Sequence, residues 1–273
     1  MKRSQFMVAA VGALAAVAAV LPGAASAGTA DGDVPTFQEF RASSFVDTDG
    51  QYIVNGDEAM MSDGHLQRYF DRMVGSEDGK THEDGLIVNR VNGQDDKWSA
   101  SQAMNLTYCV STKFGSDYTA VVNATSQGAG LWEAASSKVN FVYVPSADAD
   151  CTVRNNAVLF SVEPTTTTQY IAGAFFPSSP DRSRNVLVNA TSLQNSGNWE
   201  PGDIMAHELG HTLGFRHEHT RPEAGTCFED NNWRALTTYD SASVMHYPQC
   251  NGSNTGNLVL TSRDQSGARA LYP

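Results

Sequence analysis

The sequence predicts a domain of the α/β or α+β class, in which helices alternate with short strands around one sheet. Three observations support this prediction. Short β-prone runs recur along the middle of the chain, two longer segments have helical character, and the composition is that of a globular protein. Of the 273 residues, 41% are hydrophobic and 18% are charged, which is too apolar for a disordered chain.

Strands are predicted where β-branched and aromatic residues cluster between turn-forming residues. Five such runs occur, at 106–110, 139–144, 157–162, 170–176 and 185–189. The apolar run at 170–176 is expected at an edge of the sheet.

Two helices are predicted. The segment 118–135 lacks proline and repeats apolar residues near one helical face, although Gly128 and Gly130 weaken the pattern. The second helix runs from Pro201 to Gly214. Proline suits a first helical turn, and glycine suits the left-handed residue that ends a helix.

The first 27 residues have the order of a secretory signal peptide. Lys2 and Arg3 precede an apolar run from Met7 to Leu21, and Ala25-Ser-Ala27 supplies a cleavage site of small residues. The alternative, a membrane anchor, is disfavoured because the run is shorter than the ~20 residues that span a bilayer. We therefore expect a secreted protein, extracellular or periplasmic, without a membrane anchor.

The formal net charge of −12 is unevenly distributed. Residues 28–97 contain 15 acidic and 6 basic residues, whereas 98–273 contain 15 acidic and 10 basic residues. This shift predicts a signal peptide at 1–27, an acidic propeptide at 28–97, hereafter the leader, and a main domain at 98–273. Arg90 and Lys97 are candidates for a trypsin-like cut. An acidic chain offers no basic face to nucleic acid, so no such partner is expected.

All four cysteines lie in the main domain. Export favours disulfides, and four cysteines allow three pairings. The local pairing of Cys109 with Cys151 and of Cys227 with Cys250 is favoured, because each bridge closes a loop of moderate length. The sequence leaves the other pairings open.

The second predicted helix contains His207-Glu208-Leu-Gly-His211, the pattern H-E-x-x-H. Because residues four apart lie on one helical face, both imidazoles can reach one Zn²⁺ ion, and Glu208 is close enough to act on a water there. A catalytic zinc site needs a third protein ligand and an open position. Gly214 can turn the chain back so that His217 becomes that ligand.

This motif, H-E-x-x-H-x-x-G-x-x-H, is similar to that of the metzincin zinc peptidases, and Gly214-Phe-Arg-His-Glu218 resembles their astacin branch. The resemblance implies that His207, His211 and His217 bind zinc. It also implies that Glu208 is the general base and acid of peptide hydrolysis.

Ser243-Val-Met-His-Tyr247 resembles the Met-turn of the same branch. By this resemblance Met245 would lie beneath the metal, and Tyr247 would be a switchable ligand that also stabilises the oxyanion. The implied fold at 98–273 is a metzincin catalytic domain, with a twisted mixed β-sheet and two long helices over a small irregular lower lobe. The segment from His217 to Met245 is shorter than in animal astacins, so we expect a smaller lower lobe and a bacterial astacin-like peptidase.

In the leader, Val54-Asn-Gly-Asp57 resembles the F-x-G-D motif of astacin propeptides, whose aspartate binds zinc and excludes the catalytic water. A carboxylate oxygen can fill the open fourth position of the metal. The alternative is a plain Asn-Gly turn between two short strands. The downstream motifs favour the first interpretation, with Asp57 as a latency switch.

Together these features predict a secreted zinc endopeptidase, made as a latent zymogen, that hydrolyses protein or peptide substrates with Zn²⁺ as cofactor and acts as a monomer. One alternative is a non-catalytic zinc-containing binding protein on a peptidase scaffold, although the retention of Glu208 and Tyr247 speaks against it. A gluzincin, whose third ligand is a downstream glutamate, is a second alternative. It is unnecessary because His217 follows Gly214.

Overall fold

The computed structural model describes residues 35–47, 50–75, 86–254 and 257–273, and the predicted signal peptide lies outside them. The helices are α1 (Phe37–Ser43), α2 (Asp63–Gly75), α3 (Ala100–Ala103), α4 (Tyr118–Ala135), α5 (Ala190–Gln194), α6 (Pro201–Thr212) and α7 (Ser262–Leu271). The strands are β1 (Phe45–Val46), β2 (Tyr52–Val54), β3 (Glu58–Met60), β4 (Ile87–Val91), β5 (Gln94–Asp95), β6 (Leu106–Val110), β7 (Phe141–Tyr143), β8 (Phe160–Pro164), β9 (Ala172–Gly173), β10 (Asn185–Val188) and β11 (Trp233–Ala235). Within the described ranges, none of these helices combines the length and apolarity needed to span a membrane.

The central sheet has five strands in the order β7-β6-β8-β10-β9. The first four strands run parallel to one another, and β9 runs antiparallel to β10. This mixed sheet, with its two long helices, confirms the predicted α+β class. β9 is an edge strand, as expected for 170–176. β8 begins later than predicted because the side chain of Asn155 accepts a hydrogen bond from the Ala157 N–H at 2.9 Å and holds a turn there.

The helices α4 and α6 pack against each other and against the sheet in one hydrophobic core. The buried residues of α4 recur at helical spacing: Val121, Ala124, Thr125, Gly128, Ala129, Trp132 and Ala135. A Cβ atom at Gly128 would lie 2.6 Å from the backbone nitrogen of Ala206 in α6. The glycine that weakens α4 in isolation therefore allows the two helix backbones to approach closely.

We expect Gly128→Ala to lower the free energy of unfolding by about 1–3 kcal/mol, because the added methyl group would overlap backbone atoms of α6. Gly130 is the matched control, since a Cβ there would meet nothing within 4 Å. Gly130→Ala should raise the free energy of unfolding by about 0.5–1 kcal/mol, because alanine is the better helix former. Guanidinium denaturation measures both, and equal effects would contradict the close helix approach.

The described part of the leader, as far as the end of α2, has a small hydrophobic core of its own. α1 and α2 pack against the β2–β3 hairpin through a set of apolar side chains: Phe40, Tyr52, Val54, Met60, Leu66, Tyr69 and Phe70. We call residues 35–47 and 50–75 the docking segment. A second apolar cluster joins it to the main domain, because Ile53 packs with Tyr170 and Leu187.

Residues 86–97 pack into the main domain, although the charge distribution assigns them to the leader. β4 pairs antiparallel with β11, and Ile87 and Val88 are fully buried. A cut at Arg90 would divide this paired strand. The boundary at 97 stays a prediction about processing, and it does not coincide with a break in the packing.

The chain after α6 forms the irregular lower lobe, with short 3₁₀ turns, β11 and the C-terminal helix α7. The disulfides join Cys109 to Cys151 and Cys227 to Cys250, the local pairing that the sequence analysis favoured. The second bridge lies entirely in the lower lobe. It ties the segment after α6 to the turn that follows Tyr247.

Candidate metal centre

Helix α6 carries the first two histidines into the interior of the protein. Every residue from Ile204 to Thr212 is buried. His207 and His211 lie on one face because they are four residues apart, and their ring centroids are 5.0 Å apart. Proline at the first helical position and a left-handed glycine after the last turn bound this helix, as predicted.

The chain reverses direction at Gly214 and brings His217 to the same point. Gly214 has a φ of 100°, and a Cβ there would lie 2.0 Å from a backbone carbonyl oxygen. β4 holds the returning chain, because the Asn89 N–H donates to the Gly214 carbonyl at 2.8 Å and the Arg216 N–H donates to the Ile87 carbonyl at 3.0 Å. The strand at 87–91 therefore helps to position the third histidine.

Hydrogen bonds fix the orientation of all three rings. The Nδ1 atoms of His207 and His211 lie 2.7 Å and 2.9 Å from backbone carbonyl oxygens. Since a carbonyl oxygen only accepts, each Nδ1 carries a hydrogen, which leaves Nε2 as the ring nitrogen that can bind a metal. The Nδ1 atom of His217 instead lies 2.7 Å from a side-chain oxygen, Oε1 of Glu229.

The three Nε2 atoms converge on the carboxylate of Asp57 from the docking segment. His207 Nε2 lies 3.2 Å from His217 Nε2 and 3.1 Å from Asp57 Oδ2, and His211 Nε2 lies 3.6 Å from Asp57 Oδ1. Four ligands at zinc–ligand distances of 2.0–2.1 Å in a tetrahedron would be about 3.3–3.4 Å apart. Both His211 Nε2 and Asp57 Oδ1 are buried without a hydrogen-bond partner among the described residues. A cation between these four groups would account for both atoms.

The charge states of His211 and Asp57 suit a cation. Burial lowers the pKa of His211 to about 4, so its ring is neutral at pH 7. Burial opposes the ionisation of Asp57, but His217 and His211 outweigh it and hold the pKa of Asp57 well below its ordinary value. An anionic carboxylate therefore faces the histidine ring nitrogens.

Glu208 is buried beside the histidines and is 3% exposed. Its Oε2 atom lacks a hydrogen-bond partner within the described part of the chain. Burial, and then the negative charge of Asp57, raise the pKa of Glu208 well above its ordinary value. A carboxyl group with a raised pKa can take part in proton transfer.

The Met-turn lies directly against α6. Met245 is fully buried, and its sulfur packs against Gly210 of that helix. Asp264 of α7 holds the turn, because its carboxylate accepts from the Ser243 hydroxyl at 2.5 Å and from the Val244 N–H at 3.0 Å. The C-terminal helix thus fixes the turn that packs against α6.

Tyr247 closes the centre on the side of Asp57. Its hydroxyl donates to Asp57 Oδ2 at 2.5 Å, and its ring stacks on His207 with centroids 5.6 Å apart. Burial, together with the charge of Asp57, raises the pKa of Tyr247 well above its ordinary value. The hydroxyl is therefore protonated and able to donate.

The turn between β2 and β3 carries Asp57 into the centre. Asn55 and Gly56 adopt positive φ and form a turn between two paired strands. The Asn-Gly turn and the aspartate that reaches the histidines, two alternatives in the sequence analysis, therefore occur together. The Asp57 carbonyl accepts from the Ala174 N–H at 3.0 Å, and the Ala59 N–H donates to the Ala174 carbonyl at 3.2 Å. The docking segment therefore forms hydrogen bonds with the backbone of Ala174, the residue that directly follows the edge strand β9.

Sequence reasoning missed the charged side chains behind His217. Arg216 is buried and pairs with Glu229 and Asp230, each at 2.6 Å, and its Nε lies 4.0 Å from Glu58. No motif of fixed spacing marks these contacts. The acidic pair at 229–230 was visible in the sequence, but nothing there shows which groups it meets.

Comparison with known proteins agrees with this geometry. Residues 94–232, which are 139 of the 273 residues, match the family model described as a dual-action HEIGH metallo-peptidase. The segment His207–His211 reads HELGH and differs from HEIGH by one aliphatic residue.

Curated relatives match a shorter stretch. Nematocyst expressed protein 6 of Nematostella vectensis is 35% identical over 87 residues, which cover 25% of this chain and 30% of that protein. Tolloid-like protein 2 of Mus musculus is 36% identical over 88 residues, covering 24% and 9%. Zinc metalloproteinase nas-27 of Caenorhabditis elegans is 33% identical over 88 residues, covering 25% and 21%. The match thus spans less than a third of each relative. The solved structure of myroilysin aligns with 68% of this chain and 98% of its own, with a TM-score of 0.44 and 19% identity.

Proposed function

Because the chain belongs to the family of dual-action HEIGH metallopeptidases, we propose that it is a secreted zinc endopeptidase made as a latent zymogen. The family is one of peptide hydrolases, so the substrate is a peptide or a protein. The observation that carries the proposal is the convergence of three histidine Nε2 atoms beside the buried carboxyl group of Glu208. The signal-like N-terminus and the two disulfides support export.

Zinc is the metal that this donor set fits best. The imidazoles of His207, His211 and His217 would hold it, and three protein ligands are the number that catalytic zinc sites use. Zinc in such a site supplies Lewis acidity, which polarises the carbonyl of the scissile bond and makes a water more acidic. The orphaned Nε2 of His211 supports this assignment.

Glu208 is the proposed general base and acid. Its buried Oε2 atom would accept a proton from the attacking water and then deliver that proton to the leaving amine. Tyr247 would stabilise the negative charge that develops on the substrate. Its hydroxyl donates to Asp57 in this state, and after the carboxylate leaves it would donate to the oxyanion that develops on the substrate.

The docking segment supports the zymogen part of the proposal. An extended substrate would add to the edge of the sheet and use the N–H and carbonyl of Ala174. Asp57 and Ala59 already occupy both groups, and the Asp57 carboxylate lies against the histidine Nε2 atoms, where it would block the open position of a bound metal. Substrate and docking segment therefore exclude each other.

The test is hydrolysis of an internally quenched peptide with both termini blocked, by the processed secreted chain. We expect cleavage at an internal bond, loss of cleavage with a zinc chelator, and recovery when Zn²⁺ is added back. Blocked termini separate an endopeptidase from an exopeptidase. Mass spectrometry of the products locates the cut.

A serine-protease inhibitor at the same dose is the control for a contaminating enzyme, and it should change nothing. If the processed chain binds zinc but cleaves neither this peptide nor casein, the non-catalytic binding protein becomes the better explanation.

A further inference from the structure

Glu229 lies at the centre of the polar contacts behind the third histidine. It belongs to the irregular lower lobe, two residues after the bridged Cys227, and its side chain is 5% exposed. Its backbone N–H donates to the Thr220 hydroxyl at 2.9 Å, which fixes the start of the side chain. A carboxylate buried this deeply must have its charge and lone pairs compensated.

Both carboxylate oxygens of Glu229 are engaged, and on different partners. Oε2 accepts from Arg216 Nη2 at 2.6 Å. Oε1 lies 2.7 Å from Nδ1 of His217 and 3.3 Å from Nε2 of His219. Arg216 therefore neutralises the carboxylate on one side and leaves the other oxygen for the two imidazoles.

The third histidine needs such a partner more than the first two. His207 and His211 are held by helix α6 and by hydrogen bonds to backbone carbonyls. His217 lies beyond the helix in extended backbone, so a side-chain acceptor must fix its ring. An acceptor at Nδ1 keeps the hydrogen there and turns the Nε2 lone pair toward the centre. An anionic acceptor also makes that lone pair more basic.

His219 extends the same contact to Tyr247. The Tyr247 N–H donates to His219 Nδ1 at 3.2 Å, so Nε2 of that ring carries its hydrogen and faces Glu229. The rings of His217 and His219 stack with centroids 4.7 Å apart. One carboxylate thus contacts a metal ligand and, through a second histidine, the backbone of the tyrosine that closes the site.

We propose that Glu229 is a positioning residue of the metal centre, which sets the tautomer and orientation of His217 and steadies the Tyr247 segment through His219. The inference rests on the proposed zinc site and goes beyond its motif. Removal of an outer carboxylate that orients a histidine ligand typically weakens metal affinity by about 10–100-fold. We expect a loss in that range for Glu229→Ala.

Asp230 offers a matched control. Both Glu229 and Asp230 form a 2.6 Å ion pair with Arg216, and both are buried, but no contact joins Asp230 to a histidine of the centre in the described residues. Glu229→Ala and Asp230→Ala therefore remove the same charge from Arg216. Only the first removes the acceptor of His217.

The experiment measures the zinc dissociation constant of the full chain by competition with a fluorescent chelator, and the absorption spectrum after Co²⁺ substitution. Glu229→Ala should bind zinc about 10–100-fold more weakly and shift the Co²⁺ bands, whereas Asp230→Ala should match the wild type in both. Glu229→Gln should recover part of the affinity, because its amide oxygen can still accept from Nδ1. In the metal-free state, the two alanine substitutions should lower the free energy of unfolding by similar amounts.

Zinc affinity and Co²⁺ bands of Glu229→Ala that equal those of Asp230→Ala would overturn the positioning role. If Glu229→Ala does not fold, Glu229→Asp decides, since it keeps the charge near Arg216 but withdraws the oxygen from His217. Wild-type zinc affinity in that variant would refute the inference. Failure of the proposed function looks different, because the wild-type chain would then bind no zinc or show no chelator-sensitive cleavage.

Discussion

Glu208→Gln should lower kcat/KM for peptide hydrolysis by about 10²–10⁴-fold and leave the zinc content of the chain unchanged. The amide has nearly the same shape as the carboxyl group but cannot take a proton from water. Its introduction breaks no hydrogen bond at Oε2, which has none within the described residues. The fold and the three histidines should therefore be preserved.

The measurement combines steady-state kinetics of the processed enzyme with metal analysis of the same sample. Glu200→Gln is the matched control, because Glu200 is an exposed residue at the start of the same helix and makes no side-chain capping bond. It should retain full activity. Normal turnover by Glu208→Gln would remove Glu208 from the proposed mechanism.

The second large effect concerns the uncut chain. If the chain is the proposed zymogen, Asp57→Ala should allow the full-length protein to hydrolyse a short peptide without processing, because the substitution removes the carboxylate that lies against the histidine Nε2 atoms. We expect an increase of at least about tenfold, which corresponds to a loss of only 1.4 kcal/mol of blocking free energy. Activity should stay below that of the processed enzyme, because the contacts of Ala59 with Ala174 remain.

Intact mass must be measured alongside activity, so that self-processing is not mistaken for direct activation. Asp71→Ala is the matched control in the same segment, since Asp71 is exposed on α2 and accepts a hydrogen bond from Gln67, four residues away. This variant should remain latent. If the uncut Asp57→Ala variant hydrolyses the peptide no faster than the uncut Asp71→Ala variant, the latency-switch hypothesis is wrong.

The histidines could be recognised from the sequence because their geometry is local. The spacing of His207 and His211 follows from the helical repeat, and Gly214 marks the reversal that leads to His217. The five strands of the central sheet were recognisable for the same reason, since each lies in a short β-prone run, whereas β1 to β5 and β11 were not predicted. Their order in the sheet depends on long-range pairing and was not predicted.

The contacts of Glu229 and of β4 were out of reach because they depend on the path of the whole chain. Asp57 is 150 residues from His207, and only the resemblance to a family motif connected them. Charge composition assigned residues 86–97 to the leader. The apolar run Leu86-Ile-Val88, which is fully buried against the main domain, decides where that segment packs.

The docking segment and the site that it covers belong to one chain, and this affects how the segment competes with substrate. A tethered group competes with free substrate at an effective concentration that can reach roughly millimolar. Contacts that are individually modest, such as those of Ala174 with Asp57 and Ala59, can therefore hold the site closed against dilute substrate.

Once the chain is cut, the same contacts must act without the tether, and the released segment is diluted to the concentration of the enzyme itself. In the proposed zymogen, activation is therefore a change in molecularity: an intramolecular equilibrium becomes a bimolecular one, and dilution then favours the open site.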